Sequence, residues 1–391
     1  MTPSAPVLLG SDQLLASNRL HGRHVGLVCN PASIDAGFRH VIDRLITTPG
    51  VTVVAVFGPQ HGFHAVLQDN MIETPHAQHP RYGIPIYSLY SDTREPTAEM
   101  LRDLDLLIID LQDVGTRVYT YAYTMANCLR AARRHGVPVI VCDRPNPVGG
   151  MAVEGPILEL GLKSFVGQFP IPLRHGMTIG ELAGLFNQHF ELGADLDVVP
   201  MTGWTRTMYY EDTELPWIMP SPNLPTIDSA VVYPGAVLFE GTNVSEGRGT
   251  TRPFELIGAP WIDADRLVDT LDRLKLPGVV FRPVRFKPAF QKHSREVCGG
   301  CQLHVTDRRV FASVTVAMVL MQSIQRQDPR AFAWREPPYE YEEVALPIDI
   351  LAGTERVREQ MDHDVPASEI AAGWAPGIAD FEETRRRFLL Y

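Results

Sequence analysis

The sequence predicts an α/β protein, with a parallel-sheet domain over residues 1–225 and a smaller α+β carboxyl-terminal domain over 226–391. Three observations carry this. The first third alternates short β-branched runs with helical stretches, the pattern of βαβ units. Several of those runs are apolar almost throughout instead of alternating, which requires helices on both faces of the sheet. The pattern then breaks at Trp217–Pro225, where Pro216, Pro220, Pro222 and Pro225 exclude a helix interior or a central strand and suggest a linker.

In chain order, Val25–Cys29, Val51–Phe57, Ile84–Leu89, Leu104–Ile109 and Val137–Val141 read as strands. Helices fit at about 35–48, 96–103 and 119–135. The last carries Arg130, Arg133, Arg134 and His135 near its end, where cations suit the helix dipole. A helix at about 178–190 opens on Thr178 with Glu181 three residues later, a capping-box spacing. Residues 195–201 read as one more strand. Beyond the proline-rich segment, strands are expected at 231–239, 279–286 and 302–306, and helices at about 263–274, 311–325, 354–362 and 378–389.

Thirty-five basic against 46 acidic residues give a net charge of −11, which argues against nucleic acid as a partner. No basic stretch leads into an apolar core at the amino terminus, and no apolar run has the length of a membrane span. Five cysteines do not resemble a disulfide framework, so a cytoplasmic location is expected. Cys298-Gly-Gly-Cys301 lacks the second pair that a zinc site needs. Neither GxGxxG after the first strand nor GxxxxGK[ST] is present, so neither a nicotinamide cofactor nor a P-loop nucleotide is supported, and no cofactor is expected.

Ligands of open α/β sheets bind beyond the carboxyl ends of the strands. Here those ends are Asn30-Pro31, Gly58-Pro-Gln60-His61, Asp110-Leu-Gln-Asp113 and Asp143-Arg-Pro-Asn146, a polar rim that predicts a cleft. The stretch from His61 to His79 holds four histidines with Asp69 and Glu73. It lacks the HExxH signature and is broken by Pro75, so a histidine that carries protons or binds substrate, His61 foremost, is favoured over a metal. Asp110, Arg117, Tyr119 and Tyr121 combine carboxylate, guanidinium and phenols, which suits sugar recognition. Asn223 belongs to the proline-rich segment. The loop Glu240–Arg252 packs Glu240, Asn243, Glu246, Arg248 and Arg252 among three glycines and four hydroxyls, with little to bury and much to hydrogen-bond. The economical reaction class is glycoside hydrolysis by paired acids, and the expected partner is a small saccharide.

The Asn30-Pro31 corner, Phe57–Gly62, Ile109–Gly115, Asp143–Pro147, Pro220–Pro225, Glu240–Arg252, Leu346–Asp349 and Phe388–Tyr391 together resemble the DUF1343 family, which includes exo-β-N-acetylmuramidases of the NamZ type, glycoside hydrolase family 171. The likeness runs from about residue 24 to the last residue. It implies a Rossmann-like amino-terminal domain, a smaller carboxyl-terminal domain, a site in the cleft between them, and release of N-acetylmuramic acid from the non-reducing end of peptidoglycan fragments. On that reading Arg248 and Arg252 take the lactyl carboxylate. Many members read Pro-Glu-His after the second strand, with the glutamate as expected acid; this chain reads Pro59-Gln60-His61, and an amide transfers no proton. Asp69, Glu73, Asp113 and Glu246 are the candidates to replace it. Glu246 or Glu73 would protonate the leaving oxygen, and Asp113 would stabilise positive charge or activate water. The alternative is an amino-sugar-binding protein that kept the cleft and lost the acid.

Overall fold

The computed structural model describes residues 6–69 and 71–391. Its elements follow the βαβ reading through the first half: α1 (Gly10–Ala16), β1 (Arg23–Val28), α2 (Val41–Thr47), β2 (Val51–Gly58), β3 (Ala77–Gln78), β4 (Pro85–Ser88), α3 (Ala98–Leu101), β5 (Leu106–Ile109), α4 (Tyr121–His135) and β6 (Val139–Cys142). A hairpin of β7 (Glu154–Ile157) and β8 (Pro172–Arg174) precedes α5 (Ile179–Gly184) and β9 (Leu196–Val199). The second half contains α6 (Ile227–Ala236), β10 (Leu256–Ala259), α7 (Ala264–Leu274), β11 (Val279–Phe286), β12 (Cys298–Val305), α8 (Ser313–Gln327), α9 (Pro347–Ala352), α10 (Arg356–Asp362), α11 (Ala367–Ala372) and α12 (Ala375–Arg385).

Seven strands form the main sheet in the order β3-β4-β2-β1-β5-β6-β9, parallel except for the two-residue edge β3. Chain direction across the sheet reverses between β1 and β5, so the switch-point crevice opens there. The apolar strands are covered on both faces. On one face Leu27, Val56 and Ile108 pack with Ile42 and Leu45 of α2; on the other Phe57 and Ile109 pack with Tyr121 and Leu129 of α4. That second core continues without interruption into the other half through Phe239, Phe254, Met318 and Ile348. The second half carries its own antiparallel sheet, β10-β12-β11.

Several expectations need correction. The strand expected at 231–239 is helix α6, which continues as a 3-10 turn through Gly241. Its run Ala230-Val-Val-Tyr233 is buried on every side, and a short run apolar all round cannot reveal its own period. The helix placed at 35–48 begins only at Val41, because Asp35 folds 35–39 into a turn by accepting from the backbone N–H of Gly37 and Arg39, both at 2.9 Å. Cys298 and Cys301 lie three residues apart on β12 and face opposite sides of it, so they form no ligand pair.

Candidate active site

The switch-point crevice is filled with protein. Asp110 is fully buried and ion-paired with Arg144, whose Nη2 lies 2.9 Å from Oδ2. Asn30 donates its amide to the Tyr121 hydroxyl at 3.0 Å and to the Pro220 carbonyl at 2.7 Å, pinning the proline-rich segment to the end of β1. The space for a ligand lies one strand away, between the end of β2, the start of α4 and the second half. It is a narrow cavity, about 480 Å³ when the solvent at its mouth is counted.

One wall is built by Gln60 and His61 after β2 and by Val118–Tyr121 before and at the first turn of α4. Ser221, Asn223 and Leu224 of the proline-rich segment form a side. Tyr233, Glu240, Arg248, Phe254, Tyr339 and Glu340 close it from the second half. The glycine-rich loop thus folds over the strand ends, and both it and the proline-rich segment reach the Gln68 carbonyl, through Arg248 Nη1 at 3.4 Å and Asn223 Nδ2 at 2.7 Å. Gly249, at φ +79°, permits this path, because a Cβ would meet the Phe290 carbonyl at 2.5 Å.

Charge in the wall is arranged around Arg248. Its Nη2 lies 2.7 Å from Glu240 and its Nε 3.4 Å from Glu246. Burial opposes the charge of Arg248, but the two carboxylates outweigh it and raise its pKa. Tyr339 donates to the second oxygen of Glu240 at 2.8 Å. Behind Arg248, Glu246 accepts from Lys292 Nζ at 2.8 Å. Burial would push the Glu246 carboxyl up, yet Lys292 and Arg248 hold it below the usual range. It stands behind Arg248 and outside the residues that line the cavity.

His61 has a left-handed backbone, φ 70°, and its Nδ1 lies 2.6 Å from the Leu67 carbonyl. A carbonyl only accepts, so Nδ1 carries the proton and Nε2 is the acceptor. Burial, with a further push from Arg248, lowers the imidazole pKa to about 4, which makes His61 neutral at physiological pH. Gln60 accepts at Oε1 from Thr120 Oγ1 at 2.7 Å, which turns its NH₂ toward Glu340. Glu340 is 2 % exposed and accepts from the Tyr90 hydroxyl at 3.2 Å. Burial first, and the charge of Glu240 second, push its carboxyl up to about 7.

Of the residues singled out in the sequence, the fold brings Gln60, His61, Tyr119, Tyr121, Asn223, Glu240 and Arg248 to this cavity. The others lie elsewhere. Asp113 is buried beneath, accepting from the Gly115 N–H at 2.7 Å beside His175. Glu73 is half exposed and paired with Arg94 at 3.0 Å, and Asp69 accepts from Gln291 at 2.7 Å on the surface. Arg117 gives its guanidinium to the carbonyls of Pro156, Ile171 and Leu351 at 2.8–3.0 Å, a purely internal tie. Asn243 braces the backbone of Ala331 and Ala333. Arg252 pairs with Glu255 at 3.2 Å near the surface and does not line the cavity. Glu340, Tyr339, Tyr233 and Phe254 escaped sequence reasoning. The run Pro337-Pro-Tyr-Glu-Tyr341, an acid between two aromatics after two prolines, is the one local hint. Among the described residues no three histidine, cysteine or acidic side chains converge to hold a metal ion.

Family models for the amino- and carboxyl-terminal parts of the exo-β-N-acetylmuramidase NamZ match residues 25–228 and 231–391. The chain is 45% identical over 387 residues to the peptidoglycan β-N-acetylmuramidase NamZ of Bacillus subtilis strain 168, covering 98% of this chain and 91% of that protein. Two crystal structures of DUF1343 family proteins from Bacteroides fragilis NCTC 9343 are similar to it. One superposes with a TM-score of 0.88 at 35% identity over 100% of both chains, the other with 0.78 at 30% identity over 99% of both.

Proposed function

The chain belongs to the exo-β-N-acetylmuramidase NamZ family, and from that premise we propose that its cavity is the active site of a glycoside hydrolase releasing N-acetylmuramic acid from the non-reducing end of peptidoglycan fragments. The observation that carries this is the meeting, in one buried pocket, of two carboxylates, one guanidinium and four phenols drawn from both halves of the chain. Tyrosine rings pack on pyranose faces and carboxylates pair with sugar hydroxyls. Arg248 and the positive end of α4 favour the substrate's own carboxylate. Glu240, ion-paired with Arg248 and oriented by Tyr339, stands ready to stabilise positive charge at the anomeric carbon. His61 Nε2 accepts a hydrogen bond from a sugar hydroxyl or from water.

The proline-rich segment ending at residue 225 is the proposed domain boundary, with 226–391 completing the cleft. All five cysteines are free and buried, which suits a reducing compartment and a role on wall fragments recycled inside the cell. The test is incubation of the purified chain with 4-nitrophenyl N-acetylmuramide and with a muramic-acid-terminated disaccharide. Free N-acetylmuramic acid by mass spectrometry is the expected product. Binding by calorimetry without product would instead identify a sugar-binding protein.

A further inference from the structure

We propose that Glu340 is the catalytic acid of this chain, delivered to the anomeric oxygen from the second half of the molecule across the cavity from Gln60. The inference rests on the glycosidase reading above. A general acid must lie in the cavity wall, be free of a cationic partner that would strip its proton, and be shielded from bulk water. Of the acids in this wall Glu240 fails the second condition, since Arg248 lies 2.7 Å from it. Glu340 meets all three: its hydrogen bonds come from neutral donors, Tyr90 and Gln60.

The backbone is shaped to present it. Glu340 and Tyr341 are both left-handed, at φ 46° and 71°, in a tight turn closed by reciprocal 2.9 Å bonds between Tyr339 and Glu342. Two consecutive non-glycine residues in that region mark a conformation held by its surroundings, as functional sites often are. The titratable and charged groups around the carboxyl are Glu240, Arg248, Tyr90, Tyr233, Tyr339 and Tyr341. Burial and Glu240 favour its protonated form, with Arg248 opposing. In the reaction its O–H proton passes to the glycosidic oxygen as the anomeric C–O bond breaks, and the bonding pair stays with that oxygen. Water, the co-substrate, supplies the hydroxyl that completes the anomeric carbon, and its remaining proton restores the carboxyl.

The experiment is Glu340→Gln, compared with wild type on muramides with poor and good leaving groups. On the disaccharide kcat/KM should fall about 1000-fold. On the 2,4-dinitrophenyl muramide, whose oxygen leaves without a proton, the loss should stay below about 10-fold, and the alkaline fall of the wild-type profile near pH 7 should vanish. Because Gln60 is hydrogen-bonded to Glu340, the exchange Gln60→Glu with Glu340→Gln should restore turnover of the disaccharide. Tyr90→Phe keeps the test usable if Glu340→Gln does not fold: loss of that hydroxyl should move the alkaline limb to higher pH. Equal losses on both substrates with the alkaline limb intact, or an unmoved limb in Tyr90→Phe, would overturn the assignment alone. A wild-type chain that cleaves no muramide would overturn the glycosidase reading and this assignment with it.

Discussion

The proton on His61 Nδ1 is placed by one backbone carbonyl, while burial, against the upward pull of that contact, lowers the imidazole pKa and leaves Nε2 an acceptor at neutral pH. The consequence for stability has a definite sign. Unfolded, the imidazole takes up a proton near pH 6.5; folded, only near pH 4. Between those values the unfolded state binds the extra proton, so stability falls as pH falls and levels off below about 4. Urea unfolding of wild type and His61→Gln should therefore diverge on acidification, wild type losing up to about 3 kcal/mol more between pH 7 and pH 4. Parallel curves would show that His61 is not held neutral. At this scale sequence reading reached the cavity wall where polar residues cluster locally, as Gln60 and His61 do at a strand end and Glu240 and Arg248 do in a glycine-rich loop. It failed for Arg117, whose chemistry suggested a ligand while its guanidinium is taken up by three carbonyls, because the path of distant backbone leaves no trace near residue 117.

Helix α6 shows what decides an element when its own pattern is silent. Thr226 caps it by accepting from the Ser229 N–H at 3.1 Å, and Gly235 lets it approach α8 so closely that a Cβ would sit 2.0 Å from the Ser313 carbonyl. Gly235→Ala should cost about 1–3 kcal/mol through forced separation of the two helices, read as a lower urea midpoint; an unchanged midpoint would mean that the pair slides freely. Elements with a strong local signature were legible. Thr178 and Glu181 form the capping box that starts α5, Gly136 ends α4 after its three basic residues, and β11 spans the expected 279–286. The hairpin β7–β8 and strand β10 carry no alternation or turn signal of that strength and depend on their partners.

Across the whole molecule the two halves share one apolar core and close on each other through polar ties as well. Arg117 reaches Leu351, Tyr90 reaches Glu340, and the hydroxyl of Tyr391, the last residue, donates to Asp143 at 2.7 Å while accepting from the Met201 N–H at 2.7 Å. Calorimetric unfolding should accordingly give one transition; two resolved peaks would show that the halves fold independently. A fragment ending at residue 225 should bind no N-acetylmuramic acid by titration calorimetry, since Glu240, Arg248, Phe254, Tyr339 and Glu340 are all missing from it. Retained binding would place the sugar elsewhere.

Alone, the order of residues determined the parallel sheet, the polar rim at its strand ends, the loop that covers it and the family resemblance, since each is written in neighbouring side chains within a few turns or strands. Tertiary structure decided which rim residues face the cavity. Asn30 and Asp110 became internal ties because Tyr121, Pro220 and Arg144 reach them first. Glu340, eighty-eight positions after the loop's Arg252, became part of the wall only because a left-handed turn carries it over the shared core to Gln60. A proton donor assembled from contacts so far apart in the chain exists only in the folded state, where burial and a neighbouring charge together keep its proton in place.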